Sequence, residues 1–186
     1  MNKNILVTGG SGFIGSHLCL SLLEKNFSVT VIDSEVKSNP KSLQKVLEIC
    51  KSINRNGDFR LKYIKGDIRN KDLLKSIFSN SKENNDPIYA VIHLAGLKSV
   101  NESLNNPLLY WDNNIIGLLK LLEVMEDNLC RNFIFSSSAT IYGNIQERKI
   151  NEKDEINPVN PYGFTKSISE RILKDVYNSL PSKWKI

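Results

Sequence analysis

The sequence has few of the features that mark secreted, membrane-spanning or nucleic-acid-binding proteins. Its three cysteines, Cys19, Cys50 and Cys130, are widely spaced and form no CxxC pair, so we interpret them as reduced structural thiols. No apolar run approaches the length that crosses a bilayer, and no signal peptide precedes the first apolar run. The lysines and arginines are scattered and have no aromatic residues interleaved with them. These absences predict a cytoplasmic protein with no membrane partner and no nucleic-acid partner.

What the sequence does have is a regular alternation of short apolar runs and longer amphipathic ones. Its 186 residues are enough to bury one core. The alternation is typical of a parallel sheet with helices on both faces, which is the doubly wound α/β class. It predicts strands at 4–8, 28–33, 61–65, 88–94 and 132–137, and helices at 12–25, 41–55, 70–80, 107–127 and 161–180.

The first strand runs into a glycine-rich turn, Val7-Thr8-Gly9-Gly10-Ser11-Gly12-Phe13-Ile14-Gly15, and a helix follows. Glycines at 9, 12 and 15 suit a tight turn, the close approach of a pyrophosphate to the backbone, and close packing of helix on strand. The pyrophosphate would lie at the helix N-terminus. The second strand ends in Asp33, where an acid that holds a ribose diol and favours NAD over NADP is expected. An ordinary glycine turn, and a capping or solvated Asp33, are the alternatives.

Two further segments carry residues suited to proton transfer. Tyr162 and Lys166 stand one helical turn apart, so a lysine ammonium would favour the phenolate form of the tyrosine. The strand near 132–137 ends in serines at the carboxyl edge of the sheet, where such sheets bind ligands. A surface Tyr–Lys pair and a serine-rich turn are the alternatives. Neither His17 nor His93 has a partner at metal-ligand spacing, so we predict no metal site and interpret both as structural.

Together these segments resemble the extended short-chain dehydrogenase/reductases, a Rossmann-type family of NAD-dependent epimerases and dehydratases. The resemblance is carried by the glycine turn, Asp33, Gly66-Asp67-Ile68-Arg69, Ala95-Gly96, Ser138 and Tyr162-x-x-x-Lys166. Residues 93–100, 110–114 and 136–143 are most similar to the members that interconvert UDP-glucose and UDP-galactose. Dehydratase members usually carry an Asp-Glu pair where this chain has Ala139-Thr140. An epimerase for N-acetylated or uronic UDP-sugars, and a non-catalytic NAD-binding remnant, stay open as alternatives.

The resemblance implies a catalytic set and a cofactor-binding set. In the catalytic set, Tyr162 takes the proton of the sugar 4-hydroxyl as C4 gives a hydride to NAD⁺, and Ser138 positions that hydroxyl. Lys166 holds the nicotinamide ribose, and the hydride returns to the other face of the 4-keto sugar. The residues implied in NAD binding are Gly9, Gly12, Phe13, Ile14, Gly15, Asp33, Ser38, Asp67, Ile68, Leu94, Ala95, Gly96, Lys98, Asn113, Ser138, Tyr162 and Lys166.

The chain departs from the family pattern in two details and in its length. Residues 34–38 replace a usually Asn-rich loop, and Phe164 replaces a small or basic residue. After an expected turn at 180–183, residues 184–186 read as the start of a sixth strand, whereas family members continue into a substrate domain. We therefore interpret 1–186 as an NAD-binding domain without that C-terminal substrate domain, and expect marginal stability and little epimerase activity of the chain alone. Family members commonly dimerise through the helices near 107–127 and 161–180, so a homodimer is a further expectation.

Overall fold

Five parallel strands form one sheet in the computed structural model, which describes residues 3–144, 148–180 and 183–186. The strands are β1 (Asn4–Thr8), β2 (Ser28–Asp33), β3 (Leu61–Lys65), β4 (Ile88–His93) and β5 (Phe133–Phe135). Their order is β3-β2-β1-β4-β5. The chain moves outward from β1 to β3 and then crosses back to place β4 on the other side of β1. A ligand-binding crevice forms where the strand order reverses in this way, outside the carboxyl ends of the strands.

Helices cover both faces of the sheet, which confirms the predicted doubly wound class. One face carries α1 (Phe13–Glu24) and α2 (Lys41–Ile53), and the other carries α3 (Lys71–Glu83), α6 (Gly117–Asp127) and α7 (Pro161–Ser179). Shorter elements lie between them: α4 (Val100–Asn105), α5 (Pro107–Trp111), a π-helical turn (Asp112–Ile116) and a 3₁₀ turn (Ala139–Tyr142).

The central strand β1 divides its side chains between two cores. Ile5 and Val7 face α1 and α2, while Leu6 between them faces α3 and α6. All five residues of β1 are buried, as expected of a parallel strand covered on both sides. A slip of one residue would exchange the two faces, so packing on both sides determines the register of this strand.

The predicted elements differ from the structure chiefly between β4 and α6. The predicted helix at 107–127 is divided into α5, the π-helical turn and α6, and the preceding helix α4 was not predicted. Helix α4 is too short to show a periodic pattern, but Ser99 caps it by accepting a hydrogen bond from the N–H of Glu102 at 3.3 Å. Ser99-x-x-Glu102 matches the capping-box pattern, a sequence signal that could have located this helix.

The expected start of a sixth strand is present as a parallel bridge on the outer side of β5. Phe133 N donates to Lys185 O, and Lys185 N donates to Arg131 O, each at 2.8 Å. Trp184 is buried in the core on the α6 and α7 side of the sheet. The turn expected at 180–183 includes residues 181 and 182, which lie outside the described residues.

The three cysteines are buried free thiols, in agreement with their structural interpretation. Burial raises the pKa of Cys19 to about 12 and that of Cys130 to about 11. A thiol that stays protonated at neutral pH is a poor nucleophile. Among the described residues, the helices include none that combines the length and apolar character needed to cross a membrane.

Candidate functional site

An open groove lies at the carboxyl ends of β1, β2 and β4, where the strand order reverses. It collects the glycine turn, the loops after β2 and β3, the segment after β4 and the first turns of α7. The predicted site residues that line it are Gly9, Gly12, Phe13, Ile14, Gly15, Asp33, Ser38, Asp67, Ile68, Leu94, Ala95, Gly96, Lys98, Asn113, Tyr162 and Lys166. Residues far apart in the sequence therefore meet on one surface, and of the predicted set only Ser138 does not line the groove.

The glycine turn brings backbone very close to backbone. Gly9 has a φ of +72°, and a Cβ there would stand 2.8 Å from the backbone nitrogen of Ala95. A Cβ on Gly15 would lie 2.4 Å from the carbonyl oxygen of Gly9, so α1 packs directly against the turn. Gly12 is the N-cap of α1, and a Cβ there would stand 3.3 Å from the carbonyl oxygen of Gly9, a tight contact. The first turn of α1 is exposed, with Phe13 at 76% and Ile14 at 61%, and the N-terminus of a helix is a place where an anion binds favourably.

Asp33 is held in one orientation by three donors. Its Oδ2 accepts from the N–H of Ser11 at 3.1 Å, and its Oδ1 accepts from the N–H of Glu35 at 2.9 Å and from the hydroxyl of Ser38 at 2.6 Å. Ser11 belongs to the glycine turn, so this carboxylate connects the turn to the loop after β2. A carboxylate has about four acceptor positions, which leaves capacity for a ligand hydroxyl in the groove.

Asp67 and Ile68 border the groove after β3. The guanidinium of Arg69 bonds to Asp67, and this contact holds the pKa of the Asp67 carboxyl below its usual range. Arg69 also pairs with Asp112 in the π-helical turn. An ion pair therefore joins the loop after β3 to the π-helical turn that follows β4 in the chain.

Lys166 is a buried lysine at the other end of the groove. It is 7% exposed, and its Nζ donates to the carbonyl oxygen of Ser136 at 2.8 Å. The ring centroid of Phe135 lies 4.6 Å from this Nζ. Burial lowers the pKa of Lys166 to about 8. An ammonium has three donors, so two remain for a ligand in the groove.

Tyr162 lies on the same face of α7 as Lys166, one turn earlier. The helix begins at Asn160, whose side chain accepts from the N–H of Gly163 at 2.8 Å, and Pro161 occupies its first turn. The Tyr162 ring is buried and contacts the ring of Tyr110 edge-on, with 6.4 Å between centroids. Capping and ring packing together position the phenol where it lines the groove.

Asn114 is a buried residue that sequence reasoning missed. Its Oδ1 accepts from the N–H of Leu97 at 2.8 Å, and its Nδ2 donates to Leu97 O and to Thr165 Oγ1, each at 3.0 Å. It therefore joins the segment after β4 to the start of α7. A signal was present, because Asn114 stands four residues before Leu118, at the position that would continue the apolar, buried stripe of α6 towards its N-terminus.

The serines after β5 divide between the groove and the turn beside it. Ser138 caps the 3₁₀ turn, accepting from the N–H of Thr140 at 3.3 Å and from its hydroxyl at 2.9 Å, so its own hydroxyl proton is left to donate. Ser136 and Ser137 line the groove, and the buried Ser137 Oγ has no hydrogen-bond partner among the described residues. The lining residues outside the predicted set are Ile32, Ser34, Val36, Lys37, Gly66, Leu97, Ser136 and Ser137.

The two histidines differ in their surroundings. His93 is buried, with its Nδ1 2.7 Å from Thr8 Oγ1, and burial together with the charge of Lys166 lowers its pKa to about 3. It is a neutral structural side chain, as interpreted. His17 is exposed on α1, where its Nδ1 lies 2.8 Å from Phe13 O. In the part of the chain that the structure describes, no cluster of three or more His, Cys, Asp or Glu residues could hold a metal ion.

The parallel sheet, whose strand order reverses at β1, and the groove at the carboxyl ends of its strands define a Rossmann-type α/β domain. The chain belongs to the family whose model is described as GDP-mannose 4,6 dehydratase, which matches residues 6–183. The resemblance to the epimerase and dehydratase family is thereby confirmed.

The relatives of this chain include UDP-sugar epimerases. UDP-glucose 4-epimerase 2 of Arabidopsis thaliana is 47% identical over 186 residues, which is 100% of this chain and 50% of that protein. The bifunctional UDP-glucose 4-epimerase and UDP-xylose 4-epimerase 1 of Pisum sativum is 42% identical over 186 residues, again 100% of this chain and 50% of that protein. The crystal structure of UDP-glucose 4-epimerase from Bifidobacterium longum, in complex with NAD⁺ and UDP, matches with a TM-score of 0.87 at 40% identity, over 99% of this chain and 51% of that chain. The chain therefore spans about half the length of these relatives.

Proposed function

We propose that residues 1–186 form the NAD-binding domain of a UDP-sugar 4-epimerase that interconverts UDP-glucose and UDP-galactose. The substrate domain would lie outside these residues. The observation that carries the proposal is one continuous groove, with the glycine turn and Asp33 at one end and Tyr162 and Lys166 at the other. A dinucleotide presents its groups in the same order: an adenosine ribose, a pyrophosphate and a nicotinamide ribose.

The chemistry of the groove fits NAD at each of these groups. The exposed first turn of α1 after Gly12 suits the pyrophosphate, and the remaining acceptor capacity of Asp33 suits the adenosine ribose diol. Asp67 and Ile68 would border the adenine. The two unused N–H groups of Lys166 suit the nicotinamide ribose hydroxyls. When bound, NAD would supply the acceptor for the hydride that leaves the sugar C4.

We propose that Tyr162, Ser138 and Lys166 together move one proton. The phenolate oxygen of Tyr162 would accept the proton of the sugar 4-hydroxyl and become the neutral phenol. Ser138 would donate a hydrogen bond to the same sugar oxygen, because both contacts from Thr140 leave the serine hydroxyl proton free. Lys166 would hold the ribose on the side of the groove next to the tyrosine. Each of these roles needs the sugar to be held in place, which is the contribution expected of a substrate domain.

Epimerisation is favoured over dehydration, although the description of the family model names a dehydratase. Dehydratase members usually carry an Asp-Glu pair after the serine strand. Here Ala139 and Thr140 form the first residues of the 3₁₀ turn, so no carboxylate is available at that point. The names of the two relatives above include UDP-glucose in both cases and UDP-xylose in one. We propose UDP-glucose and UDP-galactose as the substrates because this chain is similar to UDP-glucose 4-epimerases.

Direct titration with NAD tests the cofactor proposal. The purified chain should bind NAD saturably in a calorimetric titration. Asp33→Asn should weaken binding about tenfold or more, because hydrogen bonds to a charged group contribute about 1.5–3 kcal/mol. Glu48→Gln is the matched control: it removes the partner of Lys45 on α2, away from the groove, and should leave NAD affinity unchanged. Absence of saturable binding, or equal affinity in Asp33→Asn, would contradict the proposal.

A coupled assay with UDP-galactose tests the division into domains. With NAD bound, the chain alone should turn over UDP-galactose at about 1% or less of the rate of the full-length Arabidopsis relative, since remote binding energy positions the reacting carbon. The Tyr162→Phe variant, assayed in the same way, gives the background rate. Turnover near that of the relative would show that residues 1–186 need no separate substrate domain.

We propose further that the protein forms a homodimer through the helices after β4 and α7. Exposed apolar side chains cluster on these adjacent elements: Leu108, Leu109, Ile116, Leu119, Phe164 and Ile168. A second copy with the same face would bury them symmetrically. Light scattering should give twice the mass of 21.1 kDa, and Leu108→Asp, at a side chain that is 80% exposed, should give the monomer. A monomer at every concentration of the unsubstituted chain would refute this arrangement.

A further inference from the structure

We infer that Glu35 is a second determinant of dinucleotide specificity, acting by neutralising Lys65 beside Asp33. This inference rests on the proposed NAD-binding function. NADP differs from NAD by a phosphate on the 2′-oxygen of the adenosine ribose, the group that Asp33 is proposed to hold. Any free cation next to Asp33 would attract that phosphate and weaken the preference for NAD.

Lys65 is the cation that the strand register places beside Asp33. It is the direct register partner of Asp33 across β2 and β3, so the two side chains leave the same face of the sheet. The carboxylate of Glu35 lies 2.6 Å from Lys65 Nζ, and the Tyr63 hydroxyl donates to the other oxygen of Glu35 at 2.5 Å. The lysine ammonium is thus engaged by a fixed carboxylate.

The backbone at Glu35 has an unusual conformation that produces this contact. Its φ is +62°, a left-handed value that a residue with a side chain rarely adopts. The N–H of Glu35 donates to Asp33 Oδ1 at 2.9 Å, so Asp33 itself holds the loop in this shape. Strained backbone is retained mostly where function needs it. The strain here places the Glu35 carboxylate on Lys65.

The second lysine at this end of the groove is also paired, but more loosely. Lys37 lines the groove, and its Nζ lies 3.2 Å from Glu102 of α4. The side chains of Lys37 and Lys65 are 60% and 67% exposed, so solvent screens both pairs, and the longer distance makes the Lys37 pair the weaker one. The contacts of Glu35 with Lys65 and Tyr63 hold the pKa of its carboxyl below the usual range. Glu35 therefore stays ionised at neutral pH and keeps Lys65 paired.

Titration of NAD and NADP into the unsubstituted protein and four variants tests the inference. Glu35→Gln frees Lys65, and should raise NADP affinity about five- to tenfold while NAD affinity stays within about twofold, the scale of one partly screened charge interaction. Lys65→Met, at a side chain 67% exposed, should lower NADP affinity by a similar factor. The double variant restores the original net charge and should return close to the unsubstituted protein. Glu48→Gln, which frees Lys45 on α2, should change neither affinity.

The outcomes separate this inference from the proposed function. If the unsubstituted protein does not bind NAD, the proposed function fails. If it binds NAD but Glu35→Gln leaves the NADP-to-NAD affinity ratio unchanged, the inference is overturned while the function stands. Lys65→Met retains the strained loop and gives an independent result should Glu35→Gln unfold. A gain in NADP affinity in Lys65→Met would also overturn the inference.

Discussion

Replacing Lys166 with methionine should make the ligand-free protein more stable at neutral pH. The lysine is 7% exposed and has a single hydrogen-bond acceptor, Ser136 O. Its pKa is lowered from 10.5 to about 8 because burial penalises the ammonium, and the charge of Glu170 offsets only part of this. The folded protein therefore bears a cost for a charge that the proposed function uses only when a dinucleotide is bound.

The expected gain follows from the size of that pKa difference. A lowering of about 2.5 pKa units corresponds to about 3 kcal/mol of cost for the charged form. Methionine keeps much of the apolar stem but leaves Ser136 O without its donor, which costs about 1–2 kcal/mol. The net stabilisation at pH 7 is about 1–2 kcal/mol. Below pH 8 both folded and unfolded chains are protonated at Lys166, so the full cost is present there.

The same linkage gives the pH dependence. Between pH 8 and 10.5 the folded protein loses the Lys166 proton while the unfolded chain keeps it, so the stability of the unsubstituted protein rises with pH. The advantage of Lys166→Met should shrink across this window. Urea unfolding followed by circular dichroism, repeated at several pH values, measures both quantities. Lys174→Met, on the exposed side of α7, is the control for replacing a lysine with methionine in the same helix.

Two results would refute this reasoning. The first is a Lys166→Met protein less stable than the unsubstituted one at pH 7. The second is a difference in stability between the two that stays constant from about pH 7 to 10. In a test of function, NAD should raise the unfolding midpoint of the unsubstituted protein more than that of Lys166→Met, since a ligand that binds more tightly stabilises the folded state more.

Three other substitutions test the side chains that support the groove. The pKa of His93 is lowered from 6.5 to about 3, so between these pH values only the unfolded chain takes up a proton at this residue. The free energy of unfolding should therefore fall as the pH drops below about 6.5, and this fall should be smaller in His93→Gln. Urea unfolding at several pH values measures both. Gly15→Ala places a methyl 2.4 Å from the Gly9 carbonyl oxygen and should cost about 1–3 kcal/mol in thermal unfolding, with weaker NAD binding; an unchanged midpoint would contradict the packing. Asn114→Ala leaves backbone groups after β4 unpaired and should cost about 2–4 kcal/mol by the same assay, whereas Asn113→Ala should change stability by about 0.5 kcal/mol or less.

Strands β1, β2 and β4 could be predicted from the sequence because they are buried on both faces and appear as short, largely apolar runs. Four of the five strands lie within one residue of their predicted bounds. Strand β5 is shorter than predicted, since Ser136 to Ser138 leave the sheet to form the groove edge and the 3₁₀ turn. The π-helical turn could not be predicted, because it changes which way Asn113 and Asn114 face without changing the composition of the helix.

The groove residues could be predicted for a topological reason. Parallel strands end at one edge of the sheet, so residues just after β1, β2, β3 and β4 are brought together whatever their side chains do. The contacts among those side chains depend on more. The pairing of Glu35 with Lys65 requires the register of β2 on β3, and the three bonds of Asn114 require the packing of α7 on the segment after β4. A local sequence pattern predicts neither the register between two strands nor the packing of a helix on a distant segment.

The central position of β1 affects how the protein assembles during synthesis. Asn4 pairs with Ser28 on one side and with Ile88 on the other, 24 and 84 positions later in the chain. The ribosome delivers β1 first, so one edge of this apolar strand stays open until residue 88 has emerged. An open strand edge is a template for pairing with other nascent chains. A pause in translation before residue 88 should therefore promote aggregation, whereas a pause after residue 93 should not.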